Sequence, residues 1–492
     1  MAEVSLAPTM PVEERIPASA KFDKMDATSI IRGRRDVRWY PSTGTSVNSS
    51  GGSQIITFRL SDSNAYLDPL SCYLTFDLAI TGDVSATTGG TGLDDTALSL
   101  FSRVKTEMNS VGLDDIVDVD SLAHSLIYSL GDRQAYEQDL GIQANSWKWN
   151  KLNYGGAAAS TYANDGSVAA VQQRASVYYR HLKDADDEDL VQYARKLQMA
   201  IPLSLFQISL FKGSKFIPMR NLGIFTLNFY TNTANRALRT GVGAGGIGQA
   251  VDLASHAAGV AGFSLTNLAV VGQVLDMDAR FLEVVDRVAS TSETGLIMDF
   301  NTYTNLKQSY NATPTATDRS LVVSKATTSL RNMYIVRQPS AWRENQGYCG
   351  VTGFPSLGCT GVRLQISSLY KPEYGLAEDY PSQYNLGRQA HSLLGAQDCL
   401  GNTRVDGFAN DDNADSDVNG QHVICFGFDR SANEYVALDG LSTISSGGTI
   451  TVQLRDAGET TCPIGNTAVT FNSWVEFTRF LCLKQNAVSV VG

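Results

Sequence analysis

The chain has 492 residues with a formal net charge of −11; 43% of its residues are apolar, 18% are charged and 43 are glycine. That length exceeds a single domain-sized core, and the apolar share excludes a disordered chain. The negative balance argues against a direct nucleic-acid binder, which needs basic surface to displace phosphate counterions, and no run approaches the roughly 18 consecutive apolar residues of a membrane-spanning helix. Low charge with abundant glycine is the profile of an all-β protein with many turns. The start, Met1-Ala-Glu-Val-Ser-Leu-Ala-Pro, has no basic region followed by an apolar one and reads as no signal peptide. Seven cysteines are scattered without a Cys-x-x-Cys, and Cys72, Cys425 and Cys482 lie in apolar runs. That pattern favours reduced thiols packed as small hydrophobes over a disulfide framework.

Residues 1–51 show no sustained period and read as an N-terminal arm whose local charge feature is Arg32-Gly-Arg-Arg35 with Arg38. From residue 54 the period becomes two, the mark of a strand with one face on a core. Ile55–Leu60 is followed by a run in which Cys72, Leu74, Phe76, Leu78 and Ile80 alternate with more polar residues. A third strand covers 100–108, and Asp120 is expected to cap a short helix over 121–130. Residues 131–195 read as a mixed insertion. Strands return at 199–206, 215–219 and 223–230, and a Gly/Ala-rich insertion fills 236–264. Leu268–Leu275 is another strand, followed by a short helix with Phe281, Val284, Val285 and Val288 on its apolar face. The pattern then restarts near 290, with strands at 296–303, 321–323, 332–336, 362–366, 422–429 and 449–454 and a closing apolar run to Val491. A helix at 381–394 is expected from Pro381 at its first turn and Leu386, Ala390, Leu393 and Leu394 at helical spacing. Two successive sets of short antiparallel strands predict two β-sandwiches.

Motifs that invite chemistry have ordinary readings beside them. Gly241-x-Gly243-x-x-Gly246 has the dinucleotide-binding spacing, but it lies in a Gly/Ala-rich stretch well after the preceding strand, so it reads as a surface loop. Asp415, Asp417 and Asn419 start like a calcium-binding loop, yet the twelfth position is Phe426 where a bidentate Glu is needed. A polar turn is the first reading there, and a structural Ca²⁺ site at a subunit contact is the second. Asp184 to Asp189 holds five carboxylates in six residues and reads as a solvated segment. The five histidines have no metal-ligand spacing, and no nucleophile elbow or phosphate-binding loop is present. No catalytic residue, cofactor site or cofactor is assigned.

Four stretches in a fixed order resemble the double jelly-roll major capsid proteins of eukaryotic double-stranded DNA viruses, a group spanning giant viruses, virophages and polinton-like viruses. Ile201-Pro-Leu-Ser-Leu-Phe206 with Phe216-Ile-Pro-Met219 and Ile224–Leu227 is similar to the family's paired Pro-Leu-aromatic and Leu-Pro-Leu strands. Val274-Leu-Asp-Met-Asp-Ala-Arg-Phe281 resembles the strand-to-helix segment closing the first jelly roll. Arg319-Ser320 with Leu330–Val336 resembles an early strand of the second, and the block from His422 to the end resembles the family's closing strands. Together these stretches span most of 54–492; the N-terminus departs from the giant-virus pattern.

The resemblance implies an all-β fold of two consecutive eight-stranded jelly rolls, over 52–289 and 290–492, with a few short helices and long insertions. It implies a non-enzymatic shell subunit, trimerising into pseudo-hexagonal capsomers that tile an icosahedral virion assembled inside the host cell. The implied partners are further copies of the chain and penton and minor or cement capsid proteins, without direct sequence-specific nucleic-acid binding. An internal membrane is left open. The competing readings are a carbohydrate-binding or glycan-cleaving β-sandwich and a minor penton or spike component.

Overall fold

The computed structural model describes residues 30–62, 65–81, 91–93, 96–129, 197–213, 215–240, 262–292, 295–311, 315, 317–344, 351, 354, 357–392, 422–428, 440–456, 468–484 and 487–491. The first half carries β1 (Ile31–Trp39), β2 (Pro41–Thr43), β3 (Val47–Asn48), β4 (Ile55–Leu60), β5 (Tyr66–Thr81), β6 (Thr91–Leu93), β7 (Phe101–Met108) and β8 (Val111–Val117). Helix α1 (Val119–Ala123) follows, then β9 (Leu197–Pro202), α2 (Ser209–Lys212), β10 (Ile217–Pro218), α3 (Met219–Leu222), β11 (Phe225–Thr231), α4 (Ala234–Ala237), β12 (Leu238–Thr240), β13 (Gly262–Met277) and α5 (Ala279–Thr291). The second half carries β14 (Leu296–Asn311), β15 (Thr317–Ser324), β16 (Leu330–Pro339), β17 (Cys359–Ile366), β18 (Leu369–Lys371), α6 (Tyr380–Ser392), β19 (Ile424–Gly427), β20 (Thr449–Asp456), β21 (Ala468–Lys484) and β22 (Ala487–Val491).

The second half forms two antiparallel sheets, ordered β14-β21-β16-β19 and β15-β20-β17-β18. Counting β14 to β21 along the chain as strands one to eight, with β22 added beside β21, one sheet reads 1-8-3-6 and the other 2-7-4-5, which is the jelly-roll topology. The first half repeats it. Its sheets are β1-β13-β5, extended by β9 and β10 on β5, and β4-β11-β7-β8, with β2 added beside β4. Strands six to eight close onto strands laid down far earlier, so most pairings are between residues distant in sequence.

Alternation in the sequence decides which face each core takes. In the first sandwich Phe58, Phe76, Phe101 and Phe229 project inward from facing sheets, and Phe206 joins them, with ring centroids 5.1–6.0 Å apart in edge-on contacts. In the second, Met333 and Ile335 of β16 meet Val362, Leu364, Ile450 and Val452 of the opposite sheet. Arg337 ties the two sheets of this sandwich, donating to Asp456 at 2.8 Å. Gly295 marks the restart between the halves: its φ is +71°, and a Cβ there would lie 2.1 Å from the Leu483 carbonyl, which excludes larger residues.

Several expectations are corrected. Residues 31–48, read as part of an arm, form β1, β2 and β3, with β1 paired along β13. The expected strand at 199–206 ends at Pro202, and Leu203–Phe206 turns into a 3₁₀-helix that drops Leu203 and Phe206 into the core. Asp120 does not cap α1; it lies inside the helix, whose N-cap is Asp118. On α5 the inward stripe runs through the half-buried Phe281 and Val285 and the buried Ala289, an i, i+4, i+8 row. Val284 and Val288 are exposed. Helix α6 begins at Tyr380, with the Asp379 carboxylate accepting from the Ser382 N–H, so Pro381 is its second residue. The 236–264 insertion opens with β12 paired to β6. The remainder of that insertion (241–261), most of the arm (1–29) and the 131–195 insertion lie outside the described residues.

Candidate functional site: the junction between the two jelly rolls

The outer face of the second jelly roll's β14-β21-β16-β19 sheet is not solvated. Tyr334 and Val336 of β16, Cys425 of β19 and Trp474 of β21 belong to the same buried cluster as the first jelly roll's core. These strands are covered on both faces, so their burial is nearly continuous where one-sided strands alternate. What covers them is β8, with α2 against β14, where Lys212 donates to the Tyr303 hydroxyl at 3.0 Å. The Trp474 indole N–H donates to the Val117 carbonyl at 3.0 Å, and Arg479 donates to the Leu113 carbonyl at 3.1 Å.

Polar groups set the register of this contact. Asp118, held at φ 52° in the left-handed region that Asp tolerates, faces four cationic or amide groups. It lies 2.9 Å from Arg236 of α4, 2.8 Å from Arg343, 2.8 Å from Lys307 of β14 and 2.9 Å from Asn472 of β21. Burial alone would raise the Asp118 carboxyl, but the facing Arg236, Arg343 and Lys307 more than offset it and hold it far below the usual carboxylate range. Arg236 also grips Asp120 with two bonds of 2.8 Å. One guanidinium of the first jelly roll thus orients two carboxylates, one of which engages three side chains of the second. A second contact lies beside it: Asp114 accepts from Thr302 of β14 at 2.6 Å and from Ser209 and Thr106 at 2.7 and 2.9 Å. Burial pushes this carboxyl up, and the three hydroxyls oppose that shift. Asp114, Asp118, Asp120 and Arg236 are buried and Lys307 closes the cluster from its exposed side, so the arrangement positions two domains.

Asp415, Asp417 and Asn419, the Gly241–Gly246 motif and the Asp184–Asp189 acids lie outside the described residues. Among the described residues no three His, Cys, Asp or Glu side chains converge as a metal site. Cys72, Cys359 and Cys425 are buried thiols, and burial pushes Cys72 up to about 12. His124 packs 5.8 Å from the Phe354 ring, and His422 bonds Gln383 of α6 at 2.9 Å.

Burial, then the nearby Arg337, holds His422 well below its ordinary value, so the folded protein keeps it neutral. The unfolded chain protonates it below about pH 6.5 and then binds the extra proton. Stability is therefore complete above that pH and lost as pH falls, by up to about 1.4 kcal/mol per unit. Denaturant midpoints between pH 7.5 and 5.5 are expected to fall, and His422→Gln is expected to flatten that decline; an equal decline in the variant would refute this assignment.

No protein-family model matches the chain, and no curated protein sequence does. Solved structures do. A chain of the Sputnik virophage, solved by cryo-electron microscopy, superposes with a TM-score of 0.57 at 10% identity, over 99% of this chain and 94% of that one. The quasi-atomic PBCV-1 virus capsid gives 0.53 at 11% identity over 96% and 99%. PBCV-1 VP54, fitted into a reconstruction of Sputnik, gives 0.51 at 10% identity over the same shares. The chain has the double jelly-roll fold of these capsid structures, traced over nearly its whole length.

Proposed function

We propose that the chain is a major capsid protein, a structural subunit whose copies build the shell of an icosahedral virion. The observation that carries this reading is the locked pair of identically wound sandwiches. Two like domains fixed side by side in one chain give a trimer six similar lobes, the outline that packs hexagonally on a flat facet. Its work is assembly by burial, with no step of bond making. Large obligate contacts within a trimer would resemble a domain core, and smaller, more polar contacts between trimers would allow errors to anneal. Penton and minor capsid proteins are the remaining partners this role requires.

Light scattering behind size exclusion tests the reading. A stable species of about 159 kDa, three times the 53.1 kDa chain, is expected. A monomer at all concentrations would overturn it.

A further inference from the structure

The repeated topology is used unequally. The second jelly roll's 1-8-3-6 sheet has its outer face covered by β8 and α2 of the first. In the first jelly roll the corresponding face is covered only at one end, where Phe281 and Leu282 of α5 pack on Tyr66, Leu275 and Met277, and is open beyond it: Arg34, Asp36 and Arg38 of β1, Tyr73 of β5 and Gln198 of β9 are exposed. Tyr40, just past β1, is 67% exposed. A cleft of about 450 Å³ indents this face, lined by Arg38, Tyr40, Thr75, Asp77, Gln198 and Asn267. Asn267 bulges from β13 at φ 55° and donates to Asp77 at 2.6 Å.

The covering element is unequal in the same way. In the first jelly roll, strand five (β8) and the turn that follows it press Asp114 and Asp118 onto the second. In the second jelly roll, strand five (β18) is likewise followed by a helix, α6. The segment between them projects Glu373, Tyr374, Glu378 and Asp379 into solvent, with Tyr374 76% exposed. The contact inside the chain sets carboxylate against cation, Asp118 against Lys307 of strand one. The two exposed surfaces have the same polarity: an acidic segment after strand five and arginines on strand one. Among the described residues, neither Arg34 nor Arg38 is paired with a carboxylate.

We propose that residues 373–379 of one copy dock on the outer face of β1 and β5 in the next, repeating between chains the contact the chain makes within itself. The occupant of the face is a second copy of this protein. Glu373 and Glu378 meet Arg34 and Arg38, and Tyr374 enters the cleft beside the Arg38 guanidinium as the aromatic anchor that such interfaces concentrate at their centre. The contact is head-to-tail, so it generates a closed ring when the rotation between copies permits. The inference rests on the trimer reading and assigns its interface.

The test compares the native mass of wild type, Arg34→Glu/Arg38→Glu, Glu373→Lys/Glu378→Lys, Tyr374→Ala and the combined four-charge variant. All five sites are exposed, and the surface pair Glu378 makes with Arg455 contributes little to the fold. Far-ultraviolet circular dichroism is expected to be unchanged. Either charge reversal alone is expected to weaken association at least tenfold, Tyr374→Ala is expected to weaken it without altering net charge, and the combined variant is expected to regain trimers. Undiminished trimers in both charge-reversed variants and in Tyr374→Ala would overturn the docking surface and leave the trimer reading standing. A monomeric wild type would overturn both.

Discussion

Replacing Arg236 with alanine is expected to destabilise the folded protein by about 3–5 kcal/mol, the usual cost of leaving a buried charge without its partner. Arg236 is 5% exposed and is the cation shared by Asp118 and Asp120. Asp118 would keep Lys307 and Arg343, whereas among the described residues Asp120 would keep only the Asn232 amide as a side-chain donor and the Ser121 backbone N–H. The loss should therefore fall mainly on Asp120. Adding Asp120→Asn to the alanine variant is expected to recover part of it, and a double-mutant cycle in denaturant measures the coupling directly. A cost below about 1 kcal/mol for Arg236→Ala would mean that water reaches the junction and that the cluster does not set its register.

Trp474→Ala has the second large expected effect, about 3–5 kcal/mol, from the cavity left by a fully buried indole. Its consequence differs in kind from a core deletion inside one sandwich, because Trp474 packs between the two jelly rolls and its N–H ties β21 to β8. Loss of the ring should weaken the link between domains more than either domain, splitting one unfolding transition into two. Trp474→Phe keeps most of the apolar contact and gives up the hydrogen bond to Val117, and is expected to cost about 1–3 kcal/mol. Unfolding followed by far-ultraviolet circular dichroism distinguishes the outcomes; a single transition in Trp474→Ala with wild-type midpoint would refute the role.

The sandwich interiors were legible because alternation is a local signal. Ile55–Leu60, the Cys72–Leu78 row and Thr449–Leu454 each show their core face in the order of their residues. The junction was not legible, for a physical reason. Where a strand is covered on both sides, as at Tyr334–Val336 and Asn472–Glu476, inward and outward residues are both buried and the period disappears. The residues that hold the junction are Asp114, Asp118, Arg236, Lys307 and Asn472, which are ordinary polar residues until strands far apart in the chain bring them together. One trace was present: Asp114, Asp118 and Asp120 are interleaved with Leu113, Ile116 and Val119, acids placed where a core strand has little reason to carry them. β1 was hidden differently, because Arg34, Asp36 and Arg38 occupy its outward positions and Arg35 interrupts the inward row of Val37 and Trp39.

The most direct test of the shell-subunit account is imaging the purified protein by cryo-electron microscopy and averaging the particles viewed down their symmetry axis. Threefold particles with a pseudo-hexagonal outline of six similar lobes are the result the account expects, each adjacent pair of lobes being the two jelly rolls of one chain. Isolated two-lobed particles, or a ring whose lobes do not fall into six equivalent positions, would contradict it.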